Sequence, residues 1–308
     1  MREITDITTF STQQPTVLTI GTFDGVHLGH QKIIERVVAT ARQEGLLATI
    51  FTFFPHPRMV VQHDKSLKLI HTLEEKKQLL QQLGVDLLVV QPFNEAFAQL
   101  TAEEFVSTIL VQRLNVKKVI IGYDHRFGRN RTANIDDMHL FGKKYGFAVE
   151  EISVQEVDEV SVSSTKIREA LNKGDVNTAE HYLGTPYSLT GRVVHGLKLG
   201  RILGYPTANI QVTEDYKLIP KDGVYAVYSY ISGRKVYGMM SIGKNPTIEG
   251  KGASIEVYFF DFNGDLYDQK LTIEFVQYLR EEQKFATIDL LKKQLQDDET
   301  AARKAIAV

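Results

Sequence analysis

Over roughly the first 180 residues, short apolar runs alternate with longer stretches of helical spacing. The runs at 17–20 (VLTI), 47–54 (LATIFTFF), 85–90 (VDLLVV), 116–121 (VKKVII) and 147–152 (FAVEEI) predict strands. Ile33, Ile34, Val37, Val38 and Ala41 repeat with helical period over 29–43, and Gly45 is placed to cap that helix. Residues 73–83 read as a helix stopping at Gly84, and 102–114 as one opened by a Thr101/Glu104 capping box. Strands separated by helices predict a Rossmann-like parallel sheet with right-handed crossovers, whose ligand site lies at the C-terminal strand ends.

Two short helices are predicted at 164–173 and 175–183, with Gly174 between them. After Gly184-Thr185-Pro186 the pattern changes to short strands, at 188–194, 223–231, 234–243, 254–262 and 266–278, with Asn263-Gly264-Asp265 as a hairpin turn. This predicts a small antiparallel β-barrel, followed by a C-terminal helix over 287–306. A boundary near 184–187 gives an α/β domain over 1–185 and a barrel domain over 186–308.

Composition narrows the classes of function. Of 308 residues, 43% are hydrophobic and 24% charged, which suits a chain that buries a core. A net charge of −2 offers no broad grip on nucleic acid or an anionic membrane. With no cysteine, disulfides, thiolate metal sites and a cysteine nucleophile are excluded, which fits a cytoplasmic protein. The N-terminal MREITDITTFSTQQP has no apolar core of a secretory signal, and runs such as 87–90 and 119–121 are too short to span a bilayer. No protein partner is implied.

The first candidate chemistry is Gly21-Thr22-Phe23-Asp24-Gly25-Val26-His27-Leu28-Gly29-His30, between the first predicted strand and helix. Glycines at 21, 25 and 29 admit a ligand close to the backbone, and a helix N-terminus offers N–H groups to an anion. His27 and His30, three apart, can reach one phosphate and stabilise charge on an α-phosphate as pyrophosphate leaves. The spacing is neither G-x-G-x-x-G nor a Walker A loop, and a metal reading lacks a local third ligand. Phosphate binding for nucleotidyl transfer is preferred over a structural turn. Ser163-Ser164-Thr165-Lys166-Ile167-Arg168 opens a later helix with hydroxyls and cations suited to triphosphate oxygens. Phe51–Arg58 (FTFFPHPR) and Gly122–Gly128 (GYDHRFG) end strands and are placed to shape an acceptor pocket, with His56 and Asp124 the candidates for exposed function.

A second site is read from Gly191–Gly196 (GRVVHG) and Gly200–Asn209 (GRILGYPTAN). Glycines can cradle phosphate, and Thr207 and Asn209 are hard oxygen ligands for Mg²⁺. Strand alternation puts Glu256 on a face with Tyr258 and Phe260. It reads either as a general base for an alcohol attacking ATP or as a satisfied buried carboxylate. Arg280 begins an apparently exposed segment that could close over a substrate.

The segments GTFDGVHLGH, FFPHPR, IGYDHRFG, SSTKIR, GYPTANI, IEVYFFDFNGDLYDQ and YLREEQKF occur in that order. On these motifs the chain resembles the bacterial bifunctional riboflavin kinase/FAD synthetase family over nearly its whole length. The resemblance implies an N-terminal nucleotidyltransferase domain that joins FMN to the α-phosphate of ATP, giving FAD and pyrophosphate. It implies a C-terminal domain that phosphorylates riboflavin to FMN with Mg²⁺ and ATP. Carried over by motif, His27 and His30 contact ATP phosphates, Ser164, Thr165 and Arg168 help hold them, and Gly21, Phe23 and Asp24 line the nucleotide pocket. His56, Pro57 and Asp124 fall on the flavin side of that domain. In the kinase, Gly196, Gly200, Thr207 and Asn209 take Mg²⁺–ATP, Glu256 is the catalytic base, and Arg280 lies on the flavin side. His125 departs from the aromatic or apolar residue more usual there, and RNRTAN at 129–134 lacks the family's glycine and acidic pattern. The competing readings are a single-activity H-x-G-H nucleotidyltransferase and a non-catalytic flavin-binding protein.

Overall fold

A computed structural model of the chain describes residues 1–122, 125–153, 162–196, 200, 203–244 and 253–306. These form two compact units, Met1–Ser164 and Thr165–Val308.

The first unit is built on a six-stranded sheet of order β1-β4-β3-β2-β5-β6. Its strands are β1 (Arg2–Ile4), β2 (Thr16–Ile20), β3 (Leu47–Phe54), β4 (Leu87–Pro92), β5 (Val116–Gly122) and β6 (Ala148–Ile152), and every pairing is parallel. The five predicted strands are all present. Edge strand β1 was not predicted, since three residues with only Ile4 buried carry too little pattern.

Both faces of the sheet are covered, which is why its strands read as unbroken apolar runs. Leu18, Ile20, Phe51, Leu87 and Val89 pack on one face with Phe105, Val106, Leu110 and Met138. On the other face Ile50, Leu88 and Val90 meet Ile34 and Leu80, while Val17, Ala48 and Ile120 meet Val37 and Ala41. Helix α1 (Leu28–Glu44) ends as predicted on Gly45, in the left-handed region at φ 68°. The Thr101/Glu104 capping box forms, but the helix it opens runs over Phe105–Val111 as a π-helix, which places Phe105, Val106, Ile109 and Leu110 in the core.

The sheet order reverses at β2. The chain moves from β2 to β3 and β4 on one side, then returns to β5 and β6 on the other. A crevice at such a switch point is where open α/β sheets bind ligands, and the GTFDGVHLGH turn leaves β2 there.

The second unit is a closed barrel of order β10-β11-β8-β7-β12-β9, preceded by helices Ser164–Asn172 and Val176–Leu183 and followed by α9 (Ile288–Ile306). The strands are β7 (Ser188–Val194), β8 (Ala208–Gln211), β9 (Gly223–Ile231), β10 (Arg234–Lys244), β11 (Ala253–Phe259) and β12 (Lys270–Arg280). On β11, Ile255, Val257 and Phe259 are buried, while Ser254, Glu256 and Tyr258 alternate to the opposite face. Ala302 of α9 packs on Ala226, Met239 and Phe260 against the outside of the barrel.

The two short helices belong to this unit. The Lys221 N–H donates to the Leu171 carbonyl at 3.0 Å, and Asn177 Nδ2 donates to the Val276 carbonyl at 3.2 Å. Gly174, at φ 81°, lies so close to the Tyr278 ring that an added Cβ would come within 3.0 Å of it.

Two expectations are corrected. Strand β8 begins at Ala208, within the segment read as a glycine-rich loop. The Asn263-Gly264-Asp265 hairpin does not exist, because β11 and β12 are not neighbours and β8 and β7 stand between them. None of these three residues takes the positive φ that a tight primed hairpin turn requires.

Candidate active sites

The turn after β2 has an unusual backbone. Phe23 (φ 46°) and Val26 (φ 40°) occupy the left-handed region beside Gly25 (φ 90°). A β-branched residue rarely adopts it, so the surroundings must enforce it. The Thr22 carbonyl accepts from Lys76 Nζ at 2.7 Å and Thr52 Oγ1 at 3.2 Å. The Asp24 carbonyl accepts from Ser164 Oγ at 2.9 Å, and the Val26 carbonyl from Gln31 Nε2 at 2.8 Å. A trans peptide with its carbonyl turned inward has its N–H turned outward. The turn therefore presents N–H groups beside the start of α1, as an anion-binding concavity does.

His27 is the N-cap of α1, and its Nδ1 accepts from the His30 N–H at 3.4 Å. That bond leaves the proton of a neutral ring on Nε2 as an outward donor. The His27 and His30 rings stack at 3.6 Å and 18°, and Phe23 packs edge-on to His30 at 5.2 Å. Burial pushes His27 down to about 4. Burial, with the neighbouring charges of His27 and Lys76, holds His30 well below its ordinary value. Both rings are neutral at pH 7.

Lys76, missed in the sequence, is 3% exposed, and burial lowers it to about 8 against the opposing pull of Asp24. It remains cationic at pH 7, directly behind the turn. The signal was present: Leu73, Lys76 and Leu80 fall on one helical stripe, so a lysine occupies a core-facing position.

The other residues expected here divide into groups. Gly21 is half-buried, and a Cβ there would press on the Phe23 ring at 3.1 Å. Phe23 and Asp24 are 3% and 1% exposed. Asp24 Oδ1 accepts from the Ile70 N–H at 3.0 Å, so these two side chains build the turn from within and can offer a nucleotide only their backbone. Ser164 is tied to the turn through Asp24; Thr165 and Arg168 open the second unit, Thr165 exposed and Arg168 half-buried.

At the end of β3, His56 caps the helix Pro57–Val61, its Nδ1 accepting from the Arg58 N–H at 3.2 Å, with Pro57 at the first helical position. Phe51 is core, whereas Phe53 extends an edge-to-face chain through Phe93 and Phe97. Asp124 lies outside the described residues. His125 stacks on Phe127 at 5.9 Å and 23°, so the imidazole takes an aromatic's place. At the end of segment 129–134, Asn134 caps the next helix, its side chain accepting from the Asp136 and Asp137 N–H groups.

In the barrel the predicted kinase residues come together. Glu256 on β11 is directly opposite Asn209 on β8, and Asn209 is opposite Val194 on β7. Glu256 Oε2 accepts from Thr207 Oγ1 at 2.9 Å, and Oε1 from Ser254 Oγ at 3.2 Å. Both carboxylate oxygens therefore have a hydroxyl donor. A Cβ on Gly196 would fall 2.6 Å from Asn209 Cγ, and one on Gly200 would overlap the Tyr205 carbonyl oxygen. Both glycines therefore let the loop lie against P-T-A-N. Thr207 and Asn209 offer neutral oxygen donors of the kind Mg²⁺ takes together with substrate phosphates and water, with the Glu256 carboxylate beside them. Among the described residues, no group of three or more His, Cys, Asp or Glu is placed to hold a metal by itself.

Arg280 begins an exposed segment, 281–284, but is itself held in place. Its guanidinium pairs with Asp298 through Nε–Oδ1 and Nη2–Oδ2, both at 2.6 Å, and Nη1 donates to the Glu281 carbonyl at 2.7 Å. It is anchored to α9 rather than loose on the surface. Ser254 and Tyr205, which holds the Gly200 end of the loop, are the site residues that spacing alone did not show.

Comparison with known proteins assigns both halves. The FAD synthetase family model matches residues 9–166 and the riboflavin kinase model residues 183–306. The bifunctional riboflavin kinase/FMN adenylyltransferase of Listeria monocytogenes is 40% identical over 93% of this chain and 91% of its own. That of Escherichia coli K12 is 37% identical over 94% and 93%. A crystal structure described as a macrolide-efflux protein from Streptococcus pneumoniae superposes with a TM-score of 0.88 at 34% identity, covering 98% of each chain. Among the described residues here, no helix is long and apolar enough to cross a membrane. With both catalytic domains matched in order and close relatives spanning nearly its whole length, the chain belongs to the bifunctional riboflavin kinase/FMN adenylyltransferase family.

Proposed function

We propose that the chain carries out its two reactions at two separate sites, with the roles divided as follows. In the barrel, Glu256 takes the proton of the riboflavin hydroxyl as that oxygen attacks the γ-phosphorus of ATP and ADP leaves. The observation that carries this is the Thr207–Glu256 hydrogen bond, with Asn209 directly across the strand pair. It supports reading Glu256 as a base beside two neutral oxygen ligands. Thr207 and Asn209 would hold Mg²⁺, whose chemistry is to neutralise charge on the transferring phosphate. Gly196 and Gly200 leave the phosphates room against the backbone.

In the first unit, a phosphate oxygen of FMN attacks the α-phosphorus of ATP, the bond to the β-phosphate oxygen breaks, and pyrophosphate departs. The N–H groups of Phe23, Gly25 and His27, the start of α1 and the Nε2–H of His27 supply fixed donors to the charge that develops. Neutral imidazoles suit this role, since they donate without needing to titrate. His56 and Pro57 stand on the flavin side at the end of β3, and Asp124 joins them by motif. The assignment of Thr165 and Arg168 to ATP rests on the S-S-T-K-I-R motif alone, and that of Arg280 to the flavin side on Y-L-R-E-E-Q-K-F. A cytoplasmic location is part of this reading and is supported by the cysteine-free chain.

Replacing Thr207 by Val and Asn209 by Ala is expected to raise the Mg²⁺ concentration for half-maximal riboflavin phosphorylation at least several-fold. FMN adenylylation should keep its own Mg²⁺ dependence. An unchanged Mg²⁺ requirement in the kinase assay would remove these residues from the metal site.

A further inference from the structure

Lys76 occupies a place where a cation is unfavourable. It is the fourth residue of helix Leu73–Gln82, whose N-cap Thr72 forms a capping box with Glu75. A positive charge near a helix N-terminus opposes the helix dipole, and this one is also 3% exposed. On the same stripe Leu73 and Leu80 pack with Phe23, Val26 and Ile34. An aliphatic side chain would fill the position without the cost of taking a charge out of water. What the ammonium adds is a bond to the turn after β2: Nζ donates to the Thr22 carbonyl at 2.7 Å, with Thr52 Oγ1 as a second donor to the same oxygen at 3.2 Å. Drawing that carbonyl inward turns the Phe23 N–H outward, because the two belong to one trans peptide. Phe23 itself sits at φ 46°, so this peptide is held in a strained conformation. The charged and titratable groups that face Lys76 are Asp24 of the turn, which attracts it, and His30 of α1, whose charging it opposes; His27 is stacked on His30.

We propose that Lys76 is a positioning residue for FMN adenylylation, its ammonium fixing the Thr22–Phe23 peptide with the N–H toward the ATP phosphates and setting a positive charge behind the turn that binds them. The proposal rests on the reading of this turn as the ATP site. Lys76 acts through the Thr22–Phe23 peptide rather than on the reacting atoms. Its two contributions separate on titration. A neutral amine still donates to the Thr22 carbonyl, so raising the pH through about 8 removes the charge while the peptide keeps its donor. His27 and His30 are already neutral over that range.

The test uses the full chain as wild type, Lys76→Met and His27→Ala, with FMN adenylylation and riboflavin phosphorylation measured on the same preparations. Lys76→Met keeps an unbranched apolar stem and removes the ammonium. It is expected to raise KM for ATP in adenylylation by roughly tenfold or more, the scale of one hydrogen bond to a charged group, leaving KM for FMN and the kinase reaction unchanged. Its thermal unfolding midpoint should be no lower than that of the wild type, since a buried charge is gone. In the wild type, kcat/KM for ATP, which reports the free enzyme, should fall several-fold as pH rises from about 7 to about 9, and Lys76→Met should show no such fall. An unchanged KM for ATP in Lys76→Met would overturn the proposal. So would a first unit that no longer folds in that variant, which would make Lys76 structural, or a wild-type profile flat over this pH range. Adenylylation lost in His27→Ala but intact in Lys76→Met would remove Lys76 alone, whereas adenylylation intact in both would show that the reading of the turn as the ATP site is wrong.

Discussion

His27 is held near a pKa of 4, far below the value of a free imidazole, because folding removes its ring from water. In the unfolded chain the same ring titrates near 6.5. Between these values the unfolded state binds the extra proton, so stability of the first unit falls as pH drops from about 6.5 toward 4 and gains nothing more above that window. The His27 contribution is on the order of 3 kcal/mol across it. Unfolding followed by calorimetry over pH 4–7 should show this slope, and His27→Gln should reduce it, leaving the part that buried His30 contributes with the same sign. An unchanged slope would mean that the ring is solvated. Glu256 is tested by its isostere. Glu256→Gln keeps an oxygen for the Thr207 and Ser254 hydroxyls but cannot take a proton, so kcat for riboflavin phosphorylation should fall by about 10² or more. His27 was legible in the sequence because its motif sets polar groups where a strand and a helix pattern meet, and Glu256 because strand alternation sets a carboxylate on an aromatic face. Lys76 was overlooked because a single lysine on a helical stripe carries no motif. Asp24, given to the nucleotide pocket by motif, is buried in the turn with its neighbours Phe23 and Val26, which spacing alone did not show.

At the scale of elements, glycine decides whether the kinase loop can sit against β8. A methyl on Gly196 would press into the Asn209 amide, so Gly196→Ala should displace that side chain at a cost of about 1–3 kcal/mol in packing. Riboflavin phosphorylation should weaken while FMN adenylylation in the same preparation stays at the wild-type rate. Wild-type kinase activity in this variant would show that the loop is not held as described. The parallel strands were readable from the sequence because both of their faces are buried, and the longer barrel strands because Ile255, Val257 and Phe259 alternate with polar neighbours. Strands β1 and β8 were not, since three or four residues show no periodicity and β8 starts inside P-T-A-N, where turn chemistry dominates the local signal. The Asn263-Gly264-Asp265 error has a related cause. Turn residues announce a change of direction but do not say which strand comes next in the barrel.

For the molecule as a whole, the chain divides after Ser164, earlier than the change of texture at Gly184-Thr185-Pro186. Helices 164–172 and 176–183 are amphipathic on either reading. Their place beside the barrel comes from tertiary bonds, such as Lys221 to Leu171, that no local pattern reveals. The two sets of site residues do not overlap in sequence, and each is assembled by its own sheet. The central claim is that the two chemistries are independent in one chain. It is tested most directly by supplying riboflavin or FMN with Mg²⁺ and ATP to the wild-type, Glu256→Gln and His27→Ala chains and separating the flavins by chromatography. The wild type should convert riboflavin to FMN and then FAD. Glu256→Gln should leave riboflavin unchanged yet turn supplied FMN into FAD, and His27→Ala should stop at FMN. Loss of both reactions on either single substitution, in a chain that remains folded, would contradict the account.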